Sequence, residues 1–298
     1  MSFRCATASE EREDPLAGTA SPTRAMVLIE HPGPWGVDAL RDARLPDGLG
    51  DELKRRGAAN GTKVLLARRT AGASKTTAGT RVFVASTHHL RPWLETTVLD
   101  DEAQVADLDL EALARGESLG LTPVSEPLLG VCTHGRHDAC CAERGRPVAH
   151  ALAEVFPDQT WEVSHLGGDR YAGNLVVLPH GLYLGRLDPA SAREAARLLR
   201  AGEIHLDHFR GRSGLTTPLQ AAEVALRRHV DERRLDAVRC VSRRADGRRT
   251  EVTFEIDVRT YVVTVETVAG PDTAVLTCRA ERENPVVRHL VPEIRYVA

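Results

Sequence analysis

The chain has 298 residues, a hydrophobic share of 42%, a charged share of 27% and a formal net charge of -3. That length exceeds one ordinary domain, so two or three packed units are expected, and the balance of residue types is that of a globular chain. The small net charge excludes a strong nucleic-acid footprint, and no apolar run approaches the ~20 residues that span a bilayer, so the chain reads as a soluble cytoplasmic protein without nucleic-acid or membrane partners.

In chain order, "AMVLIEH" (25–31) reads as a short buried strand stopped by "PGPWG", where a rigid turn around Trp35 is expected and His31 could face a cleft. "GDELKRRGAAN" reads as a helix, and "TKVLLARR" and "TRVFVAST" as strands separated by the turn-rich "TAGASKTTAG". This α/β unit is expected over residues 1–120, with "ARGESLGLTPVSEP" as a linker. A second unit, 121–203, opens with the strand "PLLGVCTH". Asp138 is a candidate N-cap, but Gly145 and Pro147 place the start of the main helix at about Arg146, so the intervening cysteines are expected on a loop. "QTWEVSH" alternates as a strand, "LGGDRYAGN" is a glycine-rich loop, and "NLVVLPHGLYLGRL" reads as a hairpin turning at Pro179, His180 and Gly181. "DPASAREAARLLRAGE" follows as a helix capped by Asp188. Strand, helix, strand, hairpin, helix is the element order of a thioredoxin-like unit. The first unit has a similar order without residue identity, which fits an internal duplication in which it is a degenerate copy. Residues 204–298 read as an α+β C-terminal domain: the helix "TPLQAAEVALRRHVDERR", then strands "LDAVRCVSRR", "RRTEVTFEID", "TYVVTVETV" and "DTAVLTC", with turns at "ADGR" and "AGPD".

Six cysteines are too few for a disulfide scaffold, and Cys132, Cys140 and Cys141 cluster within ten positions, which suggests metal binding or redox chemistry. Cys5, Cys240 and Cys278 have no cysteine neighbours, and Cys278 reads as a buried small hydrophobe. His165 and Asp169 follow on a second strand-end loop, and two loops that each follow a strand can converge at one sheet edge. Gly167 and Gly168 between them would let backbone approach a bound group. Thiolates with imidazole favour an iron-sulfur cluster or zinc.

"VCTHGRHDACCAERGRP" together with "SHLGGDRYAGNLVVLPHGLYLGRL" resembles the sucrase/ferredoxin-like family; "LIEHPGPWG" and "FRGRSGLTTPLQAAEVALRR" are similar to its bacterial members. The resemblance implies a thioredoxin-like ferredoxin domain that holds a 2Fe-2S cluster for electron transfer with a redox partner protein. The cysteines of the family's first motif fall on Cys132 and Cys141, and the first histidine of its H-x-G-G-H motif falls on His165. Asp169 stands where the second histidine is found, so the fourth ligand is Asp169, Cys140 or a nearby histidine, or else the cluster is lost. A carboxylate there would lower the potential relative to imidazole. His134 and His137 read as supporting or solvated residues. Arg136 and Arg170 read as surface arginines that could also screen a cluster's charge.

Two other classes stay open: a thiol redox enzyme using Cys132 with Cys140 or Cys141, which lacks the usual C-x-x-C, and a structural zinc module. "GGDRYAGN" lacks the ending of a phosphate loop, and the arginine runs near residue 240 are interleaved with acids as on a solvated sheet face. No carboxylate pair marks a glycosidase, and aromatic residues are only 4% of the chain.

Overall fold

The computed structural model describes residues 3–70 and 78–297. Its first half contains α1 (Cys5–Glu11), β1 (Ala25–Glu30), α2 (Ala39–Asp42), α3 (Leu49–Asn60), β2 (Thr62–Arg69), β3 (Thr80–Ser86), β4 (Trp93–Leu99), α4 (Leu110–Arg115) and β5 (Thr122–Pro123). Then come β6 (Leu128–Cys132), α5 (Ala139–Ala153), β7 (Thr160–Val163), β8 (Leu175–Leu178), β9 (Leu182–Leu184), α6 (Pro189–Arg200) and β10 (Phe209–Arg212). The expected turn at 70–79 falls largely on residues outside those described.

All ten strands form one sheet in the order β10-β9-β8-β6-β7-β2-β1-β3-β4-β5. Within it the same arrangement occurs twice. β1 is parallel to β2 and antiparallel to β3, which is antiparallel to β4. Likewise β6 is parallel to β7 and antiparallel to β8, which is antiparallel to β9. The two four-stranded units meet edge to edge where β2 pairs antiparallel with β7, from Ala67 opposite Val163 to Arg69 opposite Trp161. The stretch 114–127 lies along the sheet: Glu95 accepts from Ser118 Oγ and from the Leu119 and Leu121 N–H groups, and Val124 N–H donates to Leu94.

Period-two alternation puts each strand's side chains on two faces. Val27, Ile29, Leu66, Val82 and Val84 pack under α3 and α4, while Leu129, Val131, Leu175 and Val177 pack under α5 and α6. The opposite faces of both units share one core that includes Met26, Leu28, Phe83, Trp161, Val163, Cys132 and Cys141. Phe83 and Trp161 lie three strands apart, yet their rings meet edge to face at 5.3 Å, which requires a strongly curled sheet.

α7 (Thr217–Val230) covers a separate four-stranded antiparallel sheet of β11 (Val238–Asp246), β12 (Arg249–Ile256), β13 (Arg259–Ala274) and β14 (Asn284–Tyr296), in that order. Leu219, Ala222 and Leu226 of α7 pack on Val252, Phe254, Val263 and Val265. β11 is exposed along most of its length, as a solvated arginine-rich face should be. Among the described residues, no helix is long and apolar enough to cross a membrane.

Three local expectations are corrected. α5 begins at Ala139, not near Arg146, because the Asp138 side chain accepts the Cys140 N–H and caps it; Pro147 is accommodated inside the helix. Cys140 and Cys141 therefore sit in a helical turn and not on a loop. "DTAVLTC" is not a separate strand: β13 runs on through "AGPD" to Ala274 with a register shift between Ala269 and Thr273, and Cys278 lies in the loop beyond. The partner that allows this, β14, carries Pro285 and Pro292, which an edge strand tolerates but which hide it in the sequence.

Candidate metal centre

β6 ends at Cys132, and residues 133–138 turn the chain directly into α5. Thr133 Oγ1 donates to Glu162 Oε2 at 2.7 Å, and the His137 and Asp138 N–H groups both donate to the His134 carbonyl at 3.1 Å. Cys141 in the first turn of α5 is thereby held over the strand end. Gly145 makes the close crossing possible, because a Cβ there would stand 2.0 Å from the Cys132 carbonyl oxygen.

The second half of the site follows β7. Ser164 N–H donates to the Leu66 carbonyl at 2.8 Å, and the Leu66 N–H donates to Ser164 Oγ at 3.0 Å, which fixes where His165 begins. Gly167 and Gly168 then take φ of +100° and +79°, a region that disfavours side chains, and bring Asp169 back beside His165. Their neighbours show a further reason for glycine that the sequence did not disclose. A Cβ would meet Ser21 at 2.2 Å in the first case and the Arg210 guanidinium at 2.3 Å in the second. Lys63 Nζ (2.8 Å) and Ser21 Oγ (2.9 Å) donate to the Leu166 carbonyl. Arg210 donates to the Gly167 carbonyl at 3.2 Å and to Asn174 Oδ1 at 2.7 Å, and Asn174 Nδ2 donates to the Gly168 carbonyl at 2.9 Å.

The two loops meet. Donor atoms of Cys132, Cys141 and His165 lie within 4.8 Å of one another, and a second trio of His137, His165 and Asp169 does the same. His165 belongs to both. The Cys141 thiol lies 3.2 Å from Asp169 Oδ1, His165 Nδ1 lies 2.9 Å from that same oxygen, and His137 Nε2 lies 3.8 Å from Oδ2. His165 Nδ1 is buried, and Asp169 is the carboxylate that faces it. Cys132 and Cys141 are each 1% exposed, whereas the side chains of His165 and His137 are 29% and 34% exposed. The group is thus soft and buried on one side, imidazole-rich and open on the other. Its open side adjoins a cleft of about 420 Å³ lined by His134, His137, His165, Asp38, Lys54 and Lys63 among others.

The electrostatics follow that asymmetry. A hydrogen bond from Cys141, against the penalty of burial and with help from His165, holds the Cys132 thiol well below its ordinary value. The same bond to Cys132, burial and the charge of Asp169 push Cys141 well above it. Burial pulls His165 down, but Asp169 and Cys132 overcome it and raise the imidazole to about 9. Burial raises Asp169, and His165 outweighs it, leaving the carboxyl low. Lys63 falls to about 8, mainly through burial.

Cys132, Cys141, His165 and Asp169 are therefore brought together. Cys140, one position earlier on α5, belongs elsewhere: its sulfur lies 3.5 Å from that of Cys278. His137 joins the donor group, its ring stacked on His165 at 3.8 Å, and His134 stacks behind it at 5.5 Å with Trp35 edge-on at 5.7 Å. His134 Nε2 pairs with the Gly36 carbonyl at 2.9 Å, so the rigid turn around Trp35 also packs the first unit on the second. His31 instead pairs with Glu102 at 2.9 Å. Arg170 packs over Tyr171 and lies 3.5 Å from Asp14, and Arg136 lends its carbonyl to Arg279. The cations that support the second loop are Lys63 and Arg210, which sequence reasoning missed because both are remote in the chain from every ligand.

The chain belongs to the sucrase/ferredoxin-like family, whose sequence profile matches residues 16–211. Among curated proteins it is similar to altered inheritance of mitochondria protein 32 of Meyerozyma guilliermondii, 26% identical over 99 residues, which is 30% of this chain and 35% of that protein. The protein of that name from Candida glabrata is 26% identical over 98 residues, 28% of this chain and 31% of the other. The matched segment spans about a third of the length of these relatives. No solved structure matches the chain.

Proposed function

We propose that this member of the family is an electron-transfer protein or a redox-enzyme component that binds a 2Fe-2S cluster in the second of two thioredoxin-like units. The observation that carries the reading is the graded donor set: two buried cysteines on one side, and on the other His165, with its Nδ1 2.9 Å from Asp169, and His137. Cys132 and Cys141 would supply soft thiolates from the core side, and His165 with Asp169 or His137 would supply imidazole or carboxylate from the cleft side. Cys132, Cys141 and His165 would hold the cluster, with Asp169 as fourth ligand and His137 as its nearest competitor. When bound, such a cluster supplies a one-electron couple. The strand order β7-β6-β8-β9, with α5 and α6 on one face, supports the thioredoxin-like assignment, and its repetition in β2-β1-β3-β4 supports a duplicated ancestor.

The residues around the donors have definable roles. His165 opens on the cleft, so a proton can reach or leave its ring as the charge beside it changes. Lys63 and Arg210 hold the Leu166 and Gly167 carbonyls and bring positive charge to a site rich in anionic donors. A redox partner protein would dock at the cleft, within reach of the imidazole side. The competing thiol-exchange reading has the depressed Cys132 in its favour, but both thiols are 1% exposed, so a disulfide substrate has no access.

Iron and sulfide analysis with EPR of the reduced protein tests the proposal. Two irons and two sulfides per chain are expected for a 2Fe-2S centre. The signal should be lost in Cys132→Ser and altered in Asp169→Ala or in His137→Ala, whichever residue is the ligand. A reduction potential that does not change between acidic and alkaline pH would remove the titratable imidazole from the ligand set. Colourless protein from iron-replete anaerobic expression would overturn the reading.

A further inference from the structure

A second group of donors gathers at the start of α5 from chain segments that the first centre does not use. Cys5 opens α1, Asp138 and Cys140 flank the start of α5, and Cys278 lies in the loop between β13 and β14. Their donor atoms all lie within 4.8 Å of one another. The sulfurs of Cys5 and Cys140 each stand 3.5 Å from that of Cys278, and Cys5 Sγ stands 3.5 and 3.7 Å from the two Asp138 oxygens. A tetrahedral zinc ion, with Zn–S of about 2.3 Å and Zn–O of about 2.0 Å, places its ligands about 3.8 Å apart between sulfurs and about 3.5 Å between sulfur and oxygen. The two sulfur–sulfur separations and the Cys5–Asp138 separation lie close to the edges of such a tetrahedron, and the remaining donor pairs are within 4.8 Å. A disulfide would use two of the three sulfurs and leave the third beside them unused.

The donors are also held in place. Asp138 accepts the Cys140 N–H at 2.9 Å on one oxygen and the Cys278 N–H at 2.7 Å on the other. The Cys5 N–H donates to Cys278 Sγ at 3.5 Å, and the Ala6 backbone hydrogen-bonds to Cys140. Amide bonds of this kind orient carboxylate and thiolate ligands and offset their charge. Cys5, Cys140 and Asp138 are buried, with exposures of 0%, 1% and 1%, while Cys278 keeps an opening toward solvent. Arg4 and Arg144, paired with Glu143 and Glu10, place positive charge in the same neighbourhood.

We propose that Cys5, Cys140, Cys278 and Asp138 form a closed structural zinc site. Loading releases the three thiol protons to solvent and forms three Zn–S bonds and one Zn–O bond, with no change of oxidation state. The ion ties α1 and the β13–β14 loop to the helical turn that carries Cys141. Its function is to fix that turn from outside the first centre, and its existence does not depend on what the first centre binds.

The test is metal analysis of the full chain purified after zinc-supplemented and iron-supplemented expression, beside Cys5→Ser, Cys278→Ser and Cys132→Ser. About one zinc per chain is expected in the wild type, and loss of most of it in Cys5→Ser and in Cys278→Ser with iron and sulfide kept. Cys132→Ser should keep its zinc and lose its iron. Cobalt added to zinc-stripped wild type should give tetrahedral Co(II) bands with thiolate charge transfer, a readout that requires no variant to fold. Absence of those bands, zinc that follows Cys132 instead of Cys5, or denatured protein lacking two titratable thiols with a mass lower by two hydrogens would each overturn the site. A protein without iron that still shows zinc lost with Cys5 would sink the cluster proposal alone.

Discussion

The two four-stranded units share a strand order but treat the end of their first strand differently. After β1 the chain wanders through residues 31–48 before α3 begins, and the strand end is closed by the His31–Glu102 pair and by Trp35, whose Nε1 donates to the His31 carbonyl. After β6 only residues 133–138 intervene, and Asp138 starts α5 at once. A short connection places the first helical turn over the strand end, and that placement brings Cys141 to Cys132. The grouping of the donor side chains is thus decided by where a helix is capped, on a strand arrangement that is the same in both halves.

The largest expected effect erases the distinction between the halves. Cys141→Ser should abolish iron binding at the proposed cluster and leave the fold, since the serine is nearly the same size; iron analysis with circular dichroism checks both parts.

A second change strikes the seam between the second unit and the C-terminal sheet. Glu223 on α7, 1% exposed, accepts from Arg212 of β10 and from Arg227, each at 2.9 Å. Burial raises its pKa, but the two guanidiniums outweigh it and hold the carboxyl low. Glu223→Gln leaves two buried cations short of a partner and should cost about 3 kcal/mol or more. Because the folded carboxyl is depressed, its contribution is present above the unfolded value near 4.3 and is lost as pH falls through the folded value. Urea unfolding of the wild type should therefore weaken on acidification below about pH 4, with a smaller loss in the variant.

A matched pair of glycines sharpens the comparison further. Gly145→Ala drives a methyl to 2.0 Å from the Cys132 carbonyl oxygen, whereas Gly57→Ala in α3 meets the Thr62 carbonyl oxygen at 2.8 Å. The first should cost about 1 to 3 kcal/mol and reduce metal content; the second should cost less and leave metal content unchanged. Equal metal loss in both would sink the claim that the close helix crossing makes the site.

The smallest effect belongs to the first unit's own closure. His31 and Glu102 side chains are 10% and 18% exposed, so Glu102→Gln should shift stability by about 1 kcal/mol, without change in metal content or in the EPR signal.

Much of this was legible in the sequence for identifiable reasons. β1, β2, β6 and β8 are runs of aliphatic residues, and the Pro179–Gly181 turn and the Asp188 cap announce themselves by residue type. β10 stayed hidden because "FRGR" reads as surface, although Arg210 and Arg212 are buried and spend their charge on internal partners. β4 was hidden by its Glu and Thr residues, and β14 by its prolines. The start of α5 was misplaced because Gly145 and Pro147 are read locally as breakers, whereas one is required by the Cys132 carbonyl and the other is tolerated behind a strong cap.

The sequence by itself determined the α/β character and, through its resemblance to the family, offered Cys132, Cys141 and His165 as one candidate set with Asp169, Cys140 or a nearby histidine as fourth member, on two loops that each follow a strand. Only the tertiary structure decided that Cys140 leaves that set to join Cys5 and Cys278, and that Lys63 and Arg210 support its second loop. Adjacent helical residues point about 100° apart, so Cys140 and Cys141 face different neighbours, and the cysteines that Cys140 meets, Cys5 and Cys278, lie more than a hundred residues away where no local pattern records them.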